Sequence, residues 1–348
     1  MTVKVISIFG GQESFHGTPE AHARFEPNIR YDESGISTSR TASKYVLGAT
    51  GSADCANIQP HKLRDGPVWF VVKLKASRTG SYSGTAPGAF LYTNTGTRVA
   101  GTRMDQTHAA GSYATHHNYL HDTNYKSHPG HERTLEISFH VEMNEDESVT
   151  IKLFYDRTMM YTITTEVNDP LVDEDIGSIK MMYGHTDDLT STGAIYSAFA
   201  VAGIPDARGM VLKEVPIASN GAIQEFSGGD YTTLDTANPN ILDSSLIADA
   251  PEVSSTYNLA PIEDNAKAIY KVEAVVLSYR ASGGGVGANL QPIMYDGASV
   301  IEVGTKLNLA DMPTSHPVGT VIHNNPYTGN PITLTDLNEL EIGFKSKE

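Results

Sequence analysis

The feature that most limits how this chain can fold is a side-chain alternation of period two. Val68, Phe70, Val72 and Leu74 alternate with Trp69, Val71, Lys73 and Lys75. Leu135, Ile137, Phe139, Val141 and Met143 alternate with Glu136, Ser138, His140 and Glu142. Successive residues of a strand face opposite sides of a sheet, so the second set reads as a strand with one face buried and one face wet. The turn Asn144–Glu147 follows, and then Val149, Ile151, Leu153 and Tyr155, again at period two. Asp156-Arg157-Thr158 makes a tight turn before Met159–Thr165. Three strands on short turns predict an antiparallel meander.

The pattern extends along most of the chain. Further strands are predicted at Lys4–Phe9, Ser43–Leu47, Ala89–Asn94, Ile179–Tyr183 and Ile195–Ala202. The stretch Gly203–Gly209 is turn-rich, and a chain of 348 residues has room for about two domains. A boundary there gives one domain at residues 1–209 and another at residues 210–348. In the second, Lys271–Tyr279 is apolar on both faces, which predicts a central strand. Leu290–Tyr295, Ser299–Val303, Gly319–His323 and Glu341–Lys345 read as strands, and Thr335–Leu340 as a short turn with Thr335 or Asp336 at its N-cap. The Ser282–Gly287 stretch reads as a flexible loop. The one other helical signal is Thr18–Ala23, with a capping Thr and Pro19 at the first helical position. The segments Gly10–Asp32 and Ala218–Ala266 are polar and weakly patterned, and read either as arms or as ordinary surface loops. The expected fold is all-β, two β-sandwiches with long loops or arms and very little helix.

Charge and composition narrow the function. Lys and Arg number 25 against 41 Asp and Glu, a net charge of -16. Phosphate backbones reward clustered cations, so no nucleic-acid partner is expected. No apolar run approaches the ~18 residues of a membrane span, and Met1–Ser7 is not built as a secretory signal, so no membrane partner is expected either. Cys55 is the single cysteine; no internal disulfide can form, and a reducing cytoplasm suits its synthesis.

Sites of chemistry are scarce. There is no Gly-x-Ser-x-Gly elbow and no phosphate-binding Gly-x4-Gly-Lys. The Gly283–Gly287 run has no helix after it and reads as a hairpin loop. Cys55 and His61 are six residues apart, and Cys55 reads as a small apolar filler rather than an activated thiol. Glu136, Glu142, Glu145 and Glu147 do not form the closely spaced carboxylate pair of a retaining glycosidase. Asp169, Asp173, Glu174 and Asp175 form an acidic loop and Asp187-Asp188 another; both read as solvated turns before calcium loops. The one oddity is the histidine-rich segment His108–His131, in which Tyr113, His116, His117, Tyr119, His121 and Tyr125 are the candidate ligand-contact residues. It reads as a polar loop at a subunit contact or in solvent, with a ligand-contact surface and a metal site as the alternatives. The expectation is no catalytic residue, no metal and no cofactor.

Two resemblances add to this reading. Trp69–Leu74, the meander Leu135–Thr165, and the closing pair Ile179–Gly184 and Ala194–Gly203 resemble a concanavalin A-like, laminin-G-like jelly roll over residues 40–203. Tyr270–Val276, Asn325-Pro326-Tyr327-Thr328-Gly329 and Thr333–Phe344 are similar to a module of tailed-bacteriophage structural proteins, which commonly has Trp where Leu334 stands here. The resemblance implies a non-enzymatic virion component of tail, neck or head-decoration type. It would be made in the host cytoplasm and assembled as symmetric multimers with copies of itself and other virion proteins. Its alternatives are a carbohydrate-binding adhesin that meets a host-surface glycan through the histidine–tyrosine segment, and a sandwich-fold glycan hydrolase or lyase.

Overall fold

The computed structural model describes residues 3–10, 29–31, 39–41, 44–46, 52–55, 59–76, 88–103, 106–109, 116–117, 133–182, 193–210, 215, 217–234, 246–262, 272–281, 283, 288–309 and 316–348. The chain is all-β and divides into two units between Lys213 and Glu214. In chain order the first unit holds β1 (Lys4–Gly10), β2 (Ile29–Tyr31), β3 (Ser39–Thr41), β4 (Lys44–Val46), β5 (Ser52–Cys55), β6 (Val68–Ala76), β7 (Gly88–Thr93), β8 (Arg98–Arg103), β9 (Gln106–Ala109), β10 (His116–His117), β11 (Arg133–Met143), β12 (Val149–Tyr155), β13 (Thr158–Thr164), β14 (Ile176–Met182) and β15 (Gly193–Ala202). A six-stranded sheet runs β1-β15-β6-β11-β12-β13, and a seven-stranded sheet runs β10-β9-β8-β7-β14-β5-β2. Every pairing in both is antiparallel.

The alternation decides what lies between these sheets. Val68, Phe70 and Val72 of β6 and Ile137, Phe139 and Val141 of β11 enter one core from the first sheet. Ala89 and Leu91 of β7, with Ile176 and Ile179 of β14, enter it from the second. Phe70 and Phe139 stack at its centre with ring centroids 5.9 Å apart. This is a β-sandwich, its two inner faces closed on one another.

The opposite face of the six-stranded sheet is not wet. Trp69, Val71, Phe199 and Ser138 are buried there too. The expectation of a half-buried β11 is therefore corrected. Residues 203–210 fold back on this face: the Gly209 N–H donates to Glu136 at 2.9 Å, and the Arg208 guanidinium covers the rings of Phe154 and Trp69 at 4.6 and 5.7 Å. The turn-rich stretch is thus a strap on the sandwich.

The second unit holds β16 (Ile217–Gln224), β17 (Ser254–Leu259), β18 (Val275–Ala281), β19 (Asn289–Tyr295), β20 (Val300–Glu302), β21 (Leu307–Asn308), β22 (His316–Ile322) and β23 (Glu341–Lys347). One sheet runs β16-β17-β23-β19-β20, with β21 also on β19; β18 and β22 form a separate ribbon. Met294, Ile322, Ile332, Leu337 and Ile342 are part of its core.

Several expectations are corrected here. Ala218–Ala266 is not an arm throughout, because β16 and β17 are sheet strands and β17 lies between two others. Ser254, Ser255 and Thr256 are buried although polar. The Ser254 N–H donates to Glu225, Ser255 Oγ accepts from the N–H groups of Glu225 and Phe226, and Thr256 Oγ1 donates to Glu341 at 2.5 Å. The expectation of a central strand at Lys271–Tyr279 is corrected: among the described residues β18 starts at Val275 and pairs with β22 alone. The C-terminal helix is Leu334–Glu339, and its N-cap is Thr333, earlier than Thr335 or Asp336. Thr333 accepts from the Asp336 N–H while the Asp336 carboxylate accepts from the Thr333 N–H, a reciprocal capping box. Thr18–Ala23 lies outside the described residues, as does Gly10–Asp32 apart from Gly10 and β2.

Candidate ligand-binding face

The β7–β8 hairpin turns at Thr93–Thr97, where the Thr93 N–H donates to Thr97 O at 2.9 Å and Gly96 takes a φ of +93°. Because Ala89 and Leu91 point into the core, Phe90 and Tyr92 lie on the outer face of the seven-stranded sheet. Arg98 joins them from β8, paired with Tyr92 in register. Its guanidinium carbon sits 4.5 Å from the Phe90 ring centroid, and its Nε donates to the Tyr92 hydroxyl at 3.1 Å. Phe90 is buried, Tyr92 half-buried and Arg98 exposed. Gly101 is what lets Phe90 lie flat: a Cβ there would run into the Phe90 ring and meet Ala89 O at 2.7 Å.

Register extends this face across the sheet. Arg30, Asp54, Lys180, Phe90, Gly101 and His108 form one row of paired positions. Ser52, Met182, Gly88, Arg103, Gln106 and His117 form the next row on the same face. Of the six candidate contact residues, His117 falls in that second row. His116 pairs with Thr107, in the row of Thr102 and Ala89. Tyr113, Tyr119, His121 and Tyr125 lie outside the described residues. Sequence reasoning passed over Tyr92 and Arg98; the available signal was that Phe90 and Tyr92 alternate with apolar Ala89 and Leu91.

The acidic residues serve the scaffold. Arg64 bridges Glu147, at 2.8 Å, and Asp173, and holds both carboxyls below the usual carboxylate range. Asp169 accepts from the Leu171 N–H at 2.8 Å. Burial works to raise Glu174, but hydroxyls of Thr93, Thr95 and Thr97 donate to it and bring its pKa below the ordinary value. Glu136 accepts from the Gly209 N–H and the Ser138 hydroxyl, while Lys152 donates to Glu142 at 2.6 Å. Asp187-Asp188 lies outside the described residues, as do the side chain of Cys55 and most of the Ser282–Gly287 loop. Among the described residues no group of three His, Cys, Asp or Glu side chains is placed to hold a metal ion. None of their helices is long and apolar enough to cross a membrane.

Two histidines are held by packing. Burial lowers the pKa of His61, whose Nε2 bonds Gly66 O at 2.9 Å. Burial also lowers that of His140, whose ring lies 4.6 Å from that of Trp69.

The sequence matches no family model and no curated protein. Solved structures similar to it include carbohydrate-binding proteins and enzymes. The carbohydrate recognition domain of Emp47p is 10% identical, covering 51% of this chain and 89% of that one, with a TM-score of 0.31. Lectin I-B4 of Griffonia simplicifolia is 11% identical over 50% of this chain and 89% of that one, with a TM-score of 0.31. The alginate lyase Aly36B is 10% identical over 61% of this chain and 99% of that one, with a TM-score of 0.32. With TM-scores of 0.31 to 0.32 these likenesses carry no argument about what this chain does. The expectation that the chain is no enzyme is corrected: the similar structures include, beside the lectins, that lyase and a sialidase of Trypanosoma rangeli.

Proposed function

We propose that the first unit binds a glycan on the outer face of its seven-stranded sheet. The observation that carries this reading is the exposed Arg98 laid against Phe90 and bonded to Tyr92. A tyrosine ring offers a flat apolar surface with a polar tip, and a guanidinium offers five donors. Side by side they match a sugar ring, which has both hydroxyl and C–H surfaces. Of the histidine–tyrosine segment, His117 holds a register position on this face. A glycan array probed with the full chain tests the reading, followed by titration of each hit with Tyr92→Ala and Arg98→Ala. Loss of the hits in both variants supports it; hits unchanged in both place the binding elsewhere and overturn it.

The same chain would act as an adhesin carried in several copies on a tailed-phage virion, made in the host cytoplasm. The support is the phage-module resemblance, two of whose three quoted segments are joined here. Asn325 Nδ2 donates to Asp336 at 2.7 Å, and the Tyr327 hydroxyl donates to a carbonyl at 2.7 Å, with Met294 O and Ser299 O both at that distance. Edge strand β13 supports self-assembly: TMMYTIT carries no charge, and Met159 is 59% exposed on it. Light scattering of the wild type against Met159→Lys tests the copies, and mass spectrometry of purified virions tests the location. A wild type that is monomeric at every concentration, or virions without the chain, would remove this part alone.

A further inference from the structure

We infer that the first unit pairs with a second copy of itself, β13 against β13, around a two-fold axis through Ile163. The inference rests on the self-assembly reading above and names the contact that makes it.

The six-stranded sheet has two edges, β1 and β13. An edge strand leaves a row of N–H and C=O groups with no neighbouring strand, and charged residues, bulges or a covering loop blunt it. All three occur at β1. It carries Lys4, it bulges between Val5 and Ser7, and Ile6 O accepts from the Gln59 N–H at 3.3 Å. β13 has only a bulge at Met160, where Tyr161 pairs with Leu153 and Met159 with Phe154. From Tyr161 onward the pairing is regular, and the strand carries no charge. Among the described residues of the first unit, the exposed large apolar side chains are Met159, Tyr161 and Val167, at 59, 39 and 58%. Two belong to β13 and the third follows shortly after its end.

Register decides which backbone groups are open. The Thr165 N–H donates to Val149 O at 2.9 Å, so Ile163 and Tyr161, on the same alternation, also exchange bonds with β12. Thr162 and Thr164 therefore turn their N–H and C=O groups toward the open edge. An antiparallel copy centred on Ile163 sets Thr162 of each chain opposite Thr164 of the other and closes about four N–H···O bonds. The sequence at the axis, Thr162-Ile163-Thr164, reads the same in both directions, so each threonine meets its like, and such cross-strand pairs are favourable. Farther out, Tyr161 faces Thr165 and Met160 faces Glu166, so no like charges oppose one another. Lys152, beside Thr162 on β12, is held by Glu142 at 2.6 Å. This palindrome favours a copy of the chain over the strand of another protein. The contact is shorter than a standard interface of about 800 Å² per partner, so the dimer is expected to be weak and reversible. Each copy carries a net charge of -16 while the joined segment is neutral, so salt should screen the general repulsion and tighten the pair.

Sedimentation of the full chain from about 1 to about 300 µM, at about 0.05 and about 0.5 M NaCl, tests the inference. A monomer–dimer equilibrium that tightens at high salt is expected. Thr162→Lys should weaken it by about tenfold or more while the melting temperature of the dilute protein stays unchanged. Thr162→Pro removes an N–H that faces the open edge and should act alike; the lysine variant decides the matter if the proline variant does not fold. The axis is read by oxidising Thr162→Cys with Thr164→Cys, in a Cys55→Ser background. Opposed residues have Cα atoms about 5.5 Å apart, within disulfide reach, so covalent dimers are expected there and none from Thr158→Cys alone. Dimers that persist in Thr162→Lys, or that cross-link through Thr158→Cys alone, overturn the β13 contact and leave self-assembly to another surface. Assemblies larger than two overturn the closed two-fold. A monomer at every concentration overturns both this contact and the self-assembly reading.

Discussion

Arg208 covers Phe154, its guanidinium carbon 4.6 Å from the ring centroid. The contact ties residues 203–210 to the six-stranded sheet. Asp206 holds the guanidinium at 2.8 Å through two oxygens, and Arg208 Nη1 donates to Arg157 O at 3.0 Å. Arg208→Ala removes both the cation–π contact and the cover over Trp69. It should lower unfolding stability by about 1 kcal/mol. Denaturant unfolding of the full chain reads this, and an unchanged midpoint would show that the strap contributes nothing to the sandwich.

The two packed histidines make stability depend on pH. Burial lowers the pKa of His61 and of His140 from 6.5, so each binds a proton more readily unfolded than folded. Their contribution is complete above pH 6.5 and is lost as pH falls from there through the folded value. Melting temperature should therefore drop between pH 7 and pH 5, and His140→Gln should flatten part of that drop. Glu142, which faces His140 at 3.7 Å, pulls the other way. A melting temperature constant over this range would contradict the account.

Asp206 gives a second acid limb of opposite chemistry. Arg208 depresses its pKa below 3.8, so what it contributes is present above that value and disappears as pH falls through the lower folded one. Asp206→Asn should remove this limb and deepen the histidine limb, because the Asp206 charge pulls His140 upward, and a pH series of unfolding midpoints resolves the two.

In the second unit, Gly343 has no room for a side chain. A Cβ there would run into the carbonyl oxygen of Ser255 on the neighbouring strand, which is backbone and has no rotamer to change. Gly343→Ala should destabilise by about 3 kcal/mol or more. Proteolysis of the variant should cut at residues 214–348 before the first unit. Equal resistance to protease would count against the packing of β17 on β23.

The helix cap offers a graded comparison. Thr333→Ala removes one half of the capping box and should cost about 1 kcal/mol. Asp336→Ala should cost more, because its carboxylate also accepts from Asn325. The reverse order in thermal unfolding would assign the cap, rather than the link to Asn325, the larger part.

How much of this was legible in the sequence follows from where burial and polarity agree. Val68–Val72 and Ile137–Val141 put apolar residues at alternate positions, and the core takes them up. Ser254–Asn258 carries no such mark, because its burial rests on hydroxyl partners 29 to 85 residues away, which no local pattern displays. Trp69 was visible as an apolar residue on the outer side of β6, but nothing in its neighbours announced a cover supplied by Arg208. The Phe90–Arg98 contact was hidden for a related reason: the two residues meet only because a register shift in the β7–β8 pairing sets Arg98 opposite Tyr92.

The Phe90–Tyr92–Arg98 arrangement has a consequence for how such a molecule changes over time. Leu91 sits between Phe90 and Tyr92 in the chain, Val99 follows Arg98, and both belong wholly to the interior. Natural variation can therefore rewrite the outside of the sheet, one alternate position after another, while the frame that displays it stays as it was.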